Sequence, residues 1–191
     1  MEFCPLTDDI LMQCGDDYPI AGIGNIYLAP VRQLDMSSVV FSALNHDITA
    51  LPLLTAGEFV KMEAKVSTKD LATENTKDGG GNVWSITANA VLANLATEKS
   101  FILEKYGNQK LVVVVELYEL AASGNRKAMV LGLDNKMKQD AGVNFNFNPG
   151  TEAEQGGVNG YNCVIGGTQG ESPRFFAGNL LTTGAVSVPL G

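Results

Sequence analysis

Side chains from Glu58 to Val66 alternate with period two, Val60, Met62, Ala64 and Val66 against Phe59, Lys61, Glu63 and Lys65. Only an extended strand keeps such a set on one side, because a helix would scatter it around its axis. One apolar and one polar row predict a half-buried antiparallel strand. Residues 82–95 repeat the pattern, with Trp84, Ile86, Ala88, Ala90 and Leu92 alternating with Ser85, Thr87, Asn89 and Val91. The two segments read as partners bracketing 67–81, a polar stretch ending in Gly79-Gly80-Gly81 whose composition suits a long mobile hairpin tip.

The rest of the chain agrees with a mainly β reading. Strand signals fall at 23–31, 38–43 and 47–54, the last interrupted by Pro52 as an edge or bulge would be. The stretch Leu111 to Tyr118 opens on the continuous apolar run Leu-Val-Val-Val-Val, β-branched enough to predict a buried strand rather than a helix. Gly124-Asn125 marks a turn before a strand at 127–133. A late hairpin is expected from 142–148 and 161–166, joined by a polar loop at 149–157, with Val143, Phe145 and Phe147 alternating with Asn144, Asn146 and Asn148. One helix is expected at 97–106, with Thr97 as N-cap, an apolar stripe of Phe101, Ile102 and Tyr106, and Gly107 as the stop. The sum is a β-sandwich or barrel with one short helix against it.

Composition narrows the function classes. Lys and Arg number 13 and Asp and Glu 21, so the formal charge is 13 − 21 = −8. That balance argues against a protein that grips nucleic acid phosphates, which takes clustered cations. Glycine stands at 21 of 191 residues, well above the usual share, and serves hairpins. The odd set Cys4, Cys14 and Cys163 has no C-x-x-C spacing, which predicts reduced thiols, with no disulfide framework and no zinc site. Met1 to Pro5 lacks the pattern of a signal peptide, and no apolar run is long enough to span a bilayer, so a soluble chain is expected.

Candidate chemistry fails on spacing. Gly22-Ile23-Gly24 has Tyr27 where a dinucleotide fingerprint needs its third glycine, and a strand follows in place of a helix. Gly79-Gly80-Gly81 lacks the Gly-Lys-Ser/Thr ending of a phosphate loop. Asp8-Asp9 and Asp16-Asp17 lie in an unpatterned segment and read as solvated charge. In Asp134-Asn135-Lys136 a lysine occupies the place of a calcium ligand. His46, the single histidine, sits beside Asp47 as a turn pair, and no serine stands in a nucleophile elbow. Glu116 with Glu119 or Glu63 would be the carboxylates of a glycan hydrolase, but no aromatic groove accompanies them. The expectation is a protein that is not an enzyme and has no cofactor and no metal.

What remains is assembly. Residues 1–21, punctuated by Pro5 and Pro19, read as an N-terminal arm, and 178–191 as a C-terminal arm that carries no charge. Arms and a long hairpin tip cost ordering entropy, which neighbouring copies offset by binding them.

The order of arm, strands, long polar hairpin, helix between strands and late hairpins resembles the tail tube proteins of long-tailed bacteriophages. Cys14-Gly15 with Gly22-Ile23-Gly24-Asn25-Ile26-Tyr27-Leu28-Ala29 is similar to their N-terminal segment, and Asp47-Ile48-Thr49-Ala50-Leu51 to a short interior strand. Thr97-Glu98-Lys99 through Leu111 to Val115 and into Val130-Leu131-Gly132-Leu133 resembles their helix-then-strand unit. Residues 160–167 with Glu171-Ser172-Pro173 resemble their closing hairpin. The likeness covers most of residues 14–177 and extends to other virion ring and docking proteins, namely head–tail connectors, tail terminators and capsid decoration proteins.

The resemblance implies a tube domain at 22–177 whose copies form hexameric rings by strand pairing into a β-barrel around a channel, the rings stacking into a tube. It implies that 67–81 is the stacking loop, with Lys69, Asp70, Glu74, Lys77 and Asp78 at the contact. The channel wall would be either Lys61, Glu63 and Lys65 or the row Ser85, Thr87 and Asn89. Implied partners are other copies, a tape measure, a terminator, and baseplate or sheath proteins. DNA would pass through without specific binding, no membrane is involved, and the place of action is a virion assembled in the host cytoplasm.

Overall fold

The computed structural model describes residues 22–42, 47–54, 57–64, 69–78, 81–93, 95–121, 123–134, 142–151, 159–182 and 186–191. Its strands are β1 (Ile23–Pro30), β2 (Val40–Phe41), β3 (Asp47–Ala50), β4 (Val60–Met62), β5 (Asp70–Asp78), β6 (Gly81–Ala93), β7 (Leu111–Leu120) and β8 (Arg126–Leu131). These are followed by β9 (Asn144–Thr151), β10 (Asn159–Gln169), β11 (Arg174–Phe176), β12 (Gly178–Thr182) and β13 (Val186–Leu190). One α-helix, α1 (Thr97–Gly107), lies between β6 and β7, and a single 3₁₀ turn, Val31–Gln33, follows β1. The mainly β class is as expected, but the sheets stay open: seven strands in the order β2-β3-β11-β8-β7-β1-β4, four in the order β5-β6-β10-β9, and the β12–β13 hairpin.

The run at 111–115 explains the layering. β7 is central in the seven-stranded sheet, and Leu111 to Val115 are all fully buried. Leu111, Val113 and Val115 face a core shared with Ile86, Ala88, Phe145, Cys163 and Ile165 of the four-stranded sheet. Val112 and Val114 face a second core with Tyr27, Phe59, Phe176, Leu180 and Leu190. A strand with a core on each side needs apolar residues at every position, hence no alternation.

Three expectations are corrected by this packing. The segment at 58–66 does not pair with 82–93; β4 adds to β1, with Tyr27 opposite Lys61, in the other sheet. Phe59, expected on the polar row, is fully buried in the second core and bridges to Thr182. The partner of β6 is β5, from Asp70 opposite Asn89 to Asp78 opposite Gly81, so most of the expected loop at 67–81 is a strand. Its apolar signal is missing because Ala72 to Lys77 are exposed on both faces of an overhanging edge.

The expected C-terminal arm is a hairpin, β12–β13, whose Leu180 and Leu190 close the second core. Burial of two leucines outweighs the absence of regular pattern that made the segment look extended. The expected polar loop at 149–157 begins as strand, since β9 continues through Pro149 to Thr151. In α1 the N-cap is Ala96 rather than Thr97, Gly107 is the last helical residue, and Asn108 is the C-cap. Leu103 is the buried helical side chain, while Phe101 and Ile102 are exposed. Residues 1–21, and with them Cys4 and Cys14, lie outside the described residues, as do His46, Lys65, Asn135 and Lys136.

Candidate functional site

The outer face of the four-stranded sheet is built by the strand alternation itself. Ile86, Ala88 and Ala90 turn to the core, so Ser85, Thr87 and Asn89 turn away from it. The register sets Asn89 between Asp70 and Val164, Thr87 between Ala72 and Gly166, and Ser85 between Glu74 and Thr168. On the far side Asn162 lies opposite Asn148, and Val164 opposite Asn146. The face is therefore amide and hydroxyl in character. By register its charged positions among the described residues are Asp70, Glu74 and, at the hairpin end, Asp78, all on β5, and no Lys or Arg falls on it among them.

The row Ser85, Thr87, Asn89 thus keeps company that its own segment did not reveal. Asn144, Asn146 and Asn148 were legible as a row through their alternation with Phe145 and Phe147, but not as neighbours of β6, because β10 intervenes. The rival wall residues Lys61 and Glu63 sit elsewhere, on and beside β4 at the edge of the other sheet, joined in an exposed ion pair at 2.6 Å. That pair holds the Glu63 carboxyl below its usual range, chiefly through the hydrogen bond from Lys61.

The residues expected at a stacking loop separate. Asp70 and Glu74 lie on the outer face of β5, and Lys77 falls on the opposite row. Asp78 pairs with Gly81 at the hairpin end. Lys69 does not project: its ammonium donates to the Gly24 carbonyl on β1. Burial lowers its pKa.

The two ends of this sheet differ. The outer edge of β5 runs nine residues without glycine or proline. The edge of β9 carries Pro149, which has no N–H to offer, and Gly107 at the end of α1 lies against the Phe145 carbonyl. A Cβ on Gly150, near the end of β9, would meet nothing within 4 Å.

A dense polar cluster around Glu116 ties strands together. The Glu116 carboxylate accepts from Asn25 Nδ2 at 2.7 Å and from the Tyr27 hydroxyl at 3.3 Å, and pairs with Arg126 Nε at 3.2 Å. Arg126 in turn lies 5.0 Å from the centre of the Tyr118 ring. Burial, reinforced by the Glu116 charge, raises the Tyr27 phenol to about 12. Every charge here has a partner, and Gly24 leaves the space they fill. Glu116 and Glu119 therefore hold structure, Glu119 through Lys127. Among the described residues no group of three His, Cys, Asp or Glu is placed to hold a metal. No helix among them is long and apolar enough to cross a membrane. Comparison with protein-family models, with curated proteins and with solved structures finds no match.

Proposed function

We propose that this protein is a non-enzymatic structural subunit of a phage tail tube, assembling in the host cytoplasm into stacked hexameric rings whose channel wall is the outer face of the β5-β6-β10-β9 sheet. The observation that carries the reading is that face: four strands wide, polar, and without a cation among its described residues. A conduit for DNA must not retain it, and cations are what phosphates bind. A ring of six such chains would bring 6 × (−8) = −48 formal charges to bear. Six four-stranded sheets laid edge to edge make 6 × 4 = 24 strands. At about 4.8 Å per strand their barrel is about 37 Å across, before tilt widens it.

Of the two walls expected from the sequence, this reading takes Ser85, Thr87 and Asn89 and leaves Lys61 and Glu63 outside the channel. The β5–β6 hairpin end would meet the next ring. Tape measure, terminator and baseplate or sheath proteins would be its other partners.

The blunted edge of β9 favours a second reading, a connector, terminator or decoration protein that docks once through β5 and does not propagate. Negative-stain imaging of concentrated protein separates the two. Rings or tubes support the first; a particle that binds capsids or tails stoichiometrically and never stacks supports the second. A chain that stays monomeric at every concentration, with initiator complexes present, overturns the tube.

A further inference from the structure

The helix α1 has a face that the fold leaves uncovered. Its inner side is fixed by Leu103, which is buried, by Ser100, held at the Tyr161 hydroxyl, and by Gly107, which lies against Phe145 and Phe147. At about 100° per residue the opposite side is formed by Glu98, Phe101, Ile102 and Lys105, spaced i, i+3, i+4 and i+7. All four are exposed, Phe101 at 70% and Ile102 at 48%. Phe101 and Ile102, expected to cover the core, thus form an outward stripe. Neither Glu98 nor Lys105 has an ion pair among the described residues.

Charge order decides what suits this face. Glu98 stands in the first turn and Lys105 in the last, each at the helix end whose dipole it complements. A parallel pair of such helices would set Glu98 against Glu98 and Lys105 against Lys105. An antiparallel pair, with its two-fold axis between Phe101 and Ile102, sets each Glu98 level with Lys105 of the other copy. The two Phe101 rings then meet on one side of the axis and the two Ile102 side chains on the other. An acid and a lysine close each end. The face is complementary to itself, in charge and in the placing of its apolar residues. It also sits on a helix held at both ends, so little ordering entropy opposes its docking.

We propose that α1 of one copy packs antiparallel on α1 of a second copy of this chain, with Phe101 and Ile102 of both at the centre and two Glu98–Lys105 pairs flanking them. Two helices of 11 residues bury less than the about 1,200 Å² of a stable interface. The pair is therefore weak and reversible, with a dissociation constant on the order of 100 µM. A two-fold contact closes on itself. It takes the exposed Phe101 out of water in the free protein and has no place in a stack of rings that all point one way. It stands independently of the tube reading.

Sedimentation velocity at low salt tests it, from about 1 µM to about 1 mM, a range that brackets such an affinity. The wild type passes from monomer to dimer. Glu98→Lys or Lys105→Glu alone sets like charges together at both ends and weakens the dimer about tenfold. The double variant E98K/K105E exchanges the signs and restores it. Phe101→Ala removes a mostly exposed ring, so the chain still folds, and weakens the dimer by more than about tenfold. Circular dichroism verifies the fold of each variant, and where a charge variant unfolds, Phe101→Ala decides. A wild type that stays monomeric throughout overturns the pairing. So does a dimer that Phe101→Ala leaves intact, or charge-variant losses that the double variant fails to repair. Rings and tubes sediment far ahead of a pair, so either proposal can fail alone.

Discussion

The Tyr161 hydroxyl donates to the Ala96 carbonyl at 2.9 Å and accepts from the Ala96 N–H at 3.2 Å. Ser100 Oγ lies 3.0 Å from the same oxygen. A strand residue of β10 thereby accepts the N–H of the N-cap residue, the part that the Glu or Gln of a capping box plays in other helices, and Ala96 makes no side-chain cap of its own. The hydroxyl couples the helix to the four-stranded sheet across 65 residues of chain.

Tyr161→Phe keeps the buried ring and removes that coupling. Unfolding in urea should show a loss of about 1–2 kcal/mol, the range for a lost cap or a stranded buried donor. Ser100→Ala, which leaves the Ala96 contacts in place, should cost less. Equal losses in the two variants would show that the helix start is held in some other way.

Gly132 and Gly124 both adopt left-handed backbone, at φ +78° and +84°. Their surroundings differ. A Cβ on Gly132 would lie 2.7 Å from the Val143 nitrogen and 2.9 Å from the Leu111 oxygen, atoms of the bridge that ties 143 to β7. A Cβ on Gly124 meets nothing within 4 Å. Gly124→Ala should therefore cost about 1–2 kcal/mol, the conformational penalty alone. Gly132→Ala should cost clearly more and broaden the thermal transition. Equal costs in paired melting experiments would contradict the crowding at Gly132.

Legibility followed the number of sources from which a signal could arise. β6, β7 and the β9–β10 hairpin were readable because each is set by alternation or continuous burial within its own segment. β5 was not, because Thr73, Asn75 and Lys77 cover nothing and so carry no apolar mark. The β4 partner was misassigned for a related reason: Val60 and Met62 fit against either sheet, and pairing is decided by β1, far away in sequence. The β12–β13 hairpin hid its role because Leu180 and Leu190 become a core only when Phe59 and Val112 arrive from elsewhere. The face at Ser85, Thr87 and Asn89 was legible as a row, whereas its neutral neighbours on β9 and β10 needed the register.

Alkaline pH should unfold the protein through two buried acids. Burial raises the Cys163 thiol from 9.0 to about 12, and burial with the Glu116 charge raises the Tyr27 phenol from 10.0 to about 12. A folded value above the unfolded one means that the native state holds the proton that the unfolded chain gives up. Their contribution is complete below pH 9 and is lost as pH rises through the folded values. Urea midpoints should thus fall from pH 9 upward, with Cys163→Ala flattening the first part and Tyr27→Phe the part above pH 10. A midpoint that stays level across this window in the wild type would mean that neither group is shifted.

If the outer face of the four-stranded sheet lines a channel, a basic row on it should make that wall bind DNA. Thr87→Lys with Asn89→Lys places two cations on β6, on the face that holds no cation among its described residues. Both sites are half-buried by neighbours on the same face and point away from the core, so folding should be little changed. In an assembled ring these changes multiply by the number of copies, and each neutralised phosphate steepens the salt dependence. Variant tubes should retain short DNA duplexes at low salt and release them as salt rises, while wild-type tubes retain none. The same pair of lysines placed on the exposed side of α1, at Glu98 and Phe101, should bind DNA on the outside of the tube, where added nuclease digests it. DNA held by the β6 variant should resist the nuclease. If it is digested equally in both variants, the four-stranded sheet does not face the channel.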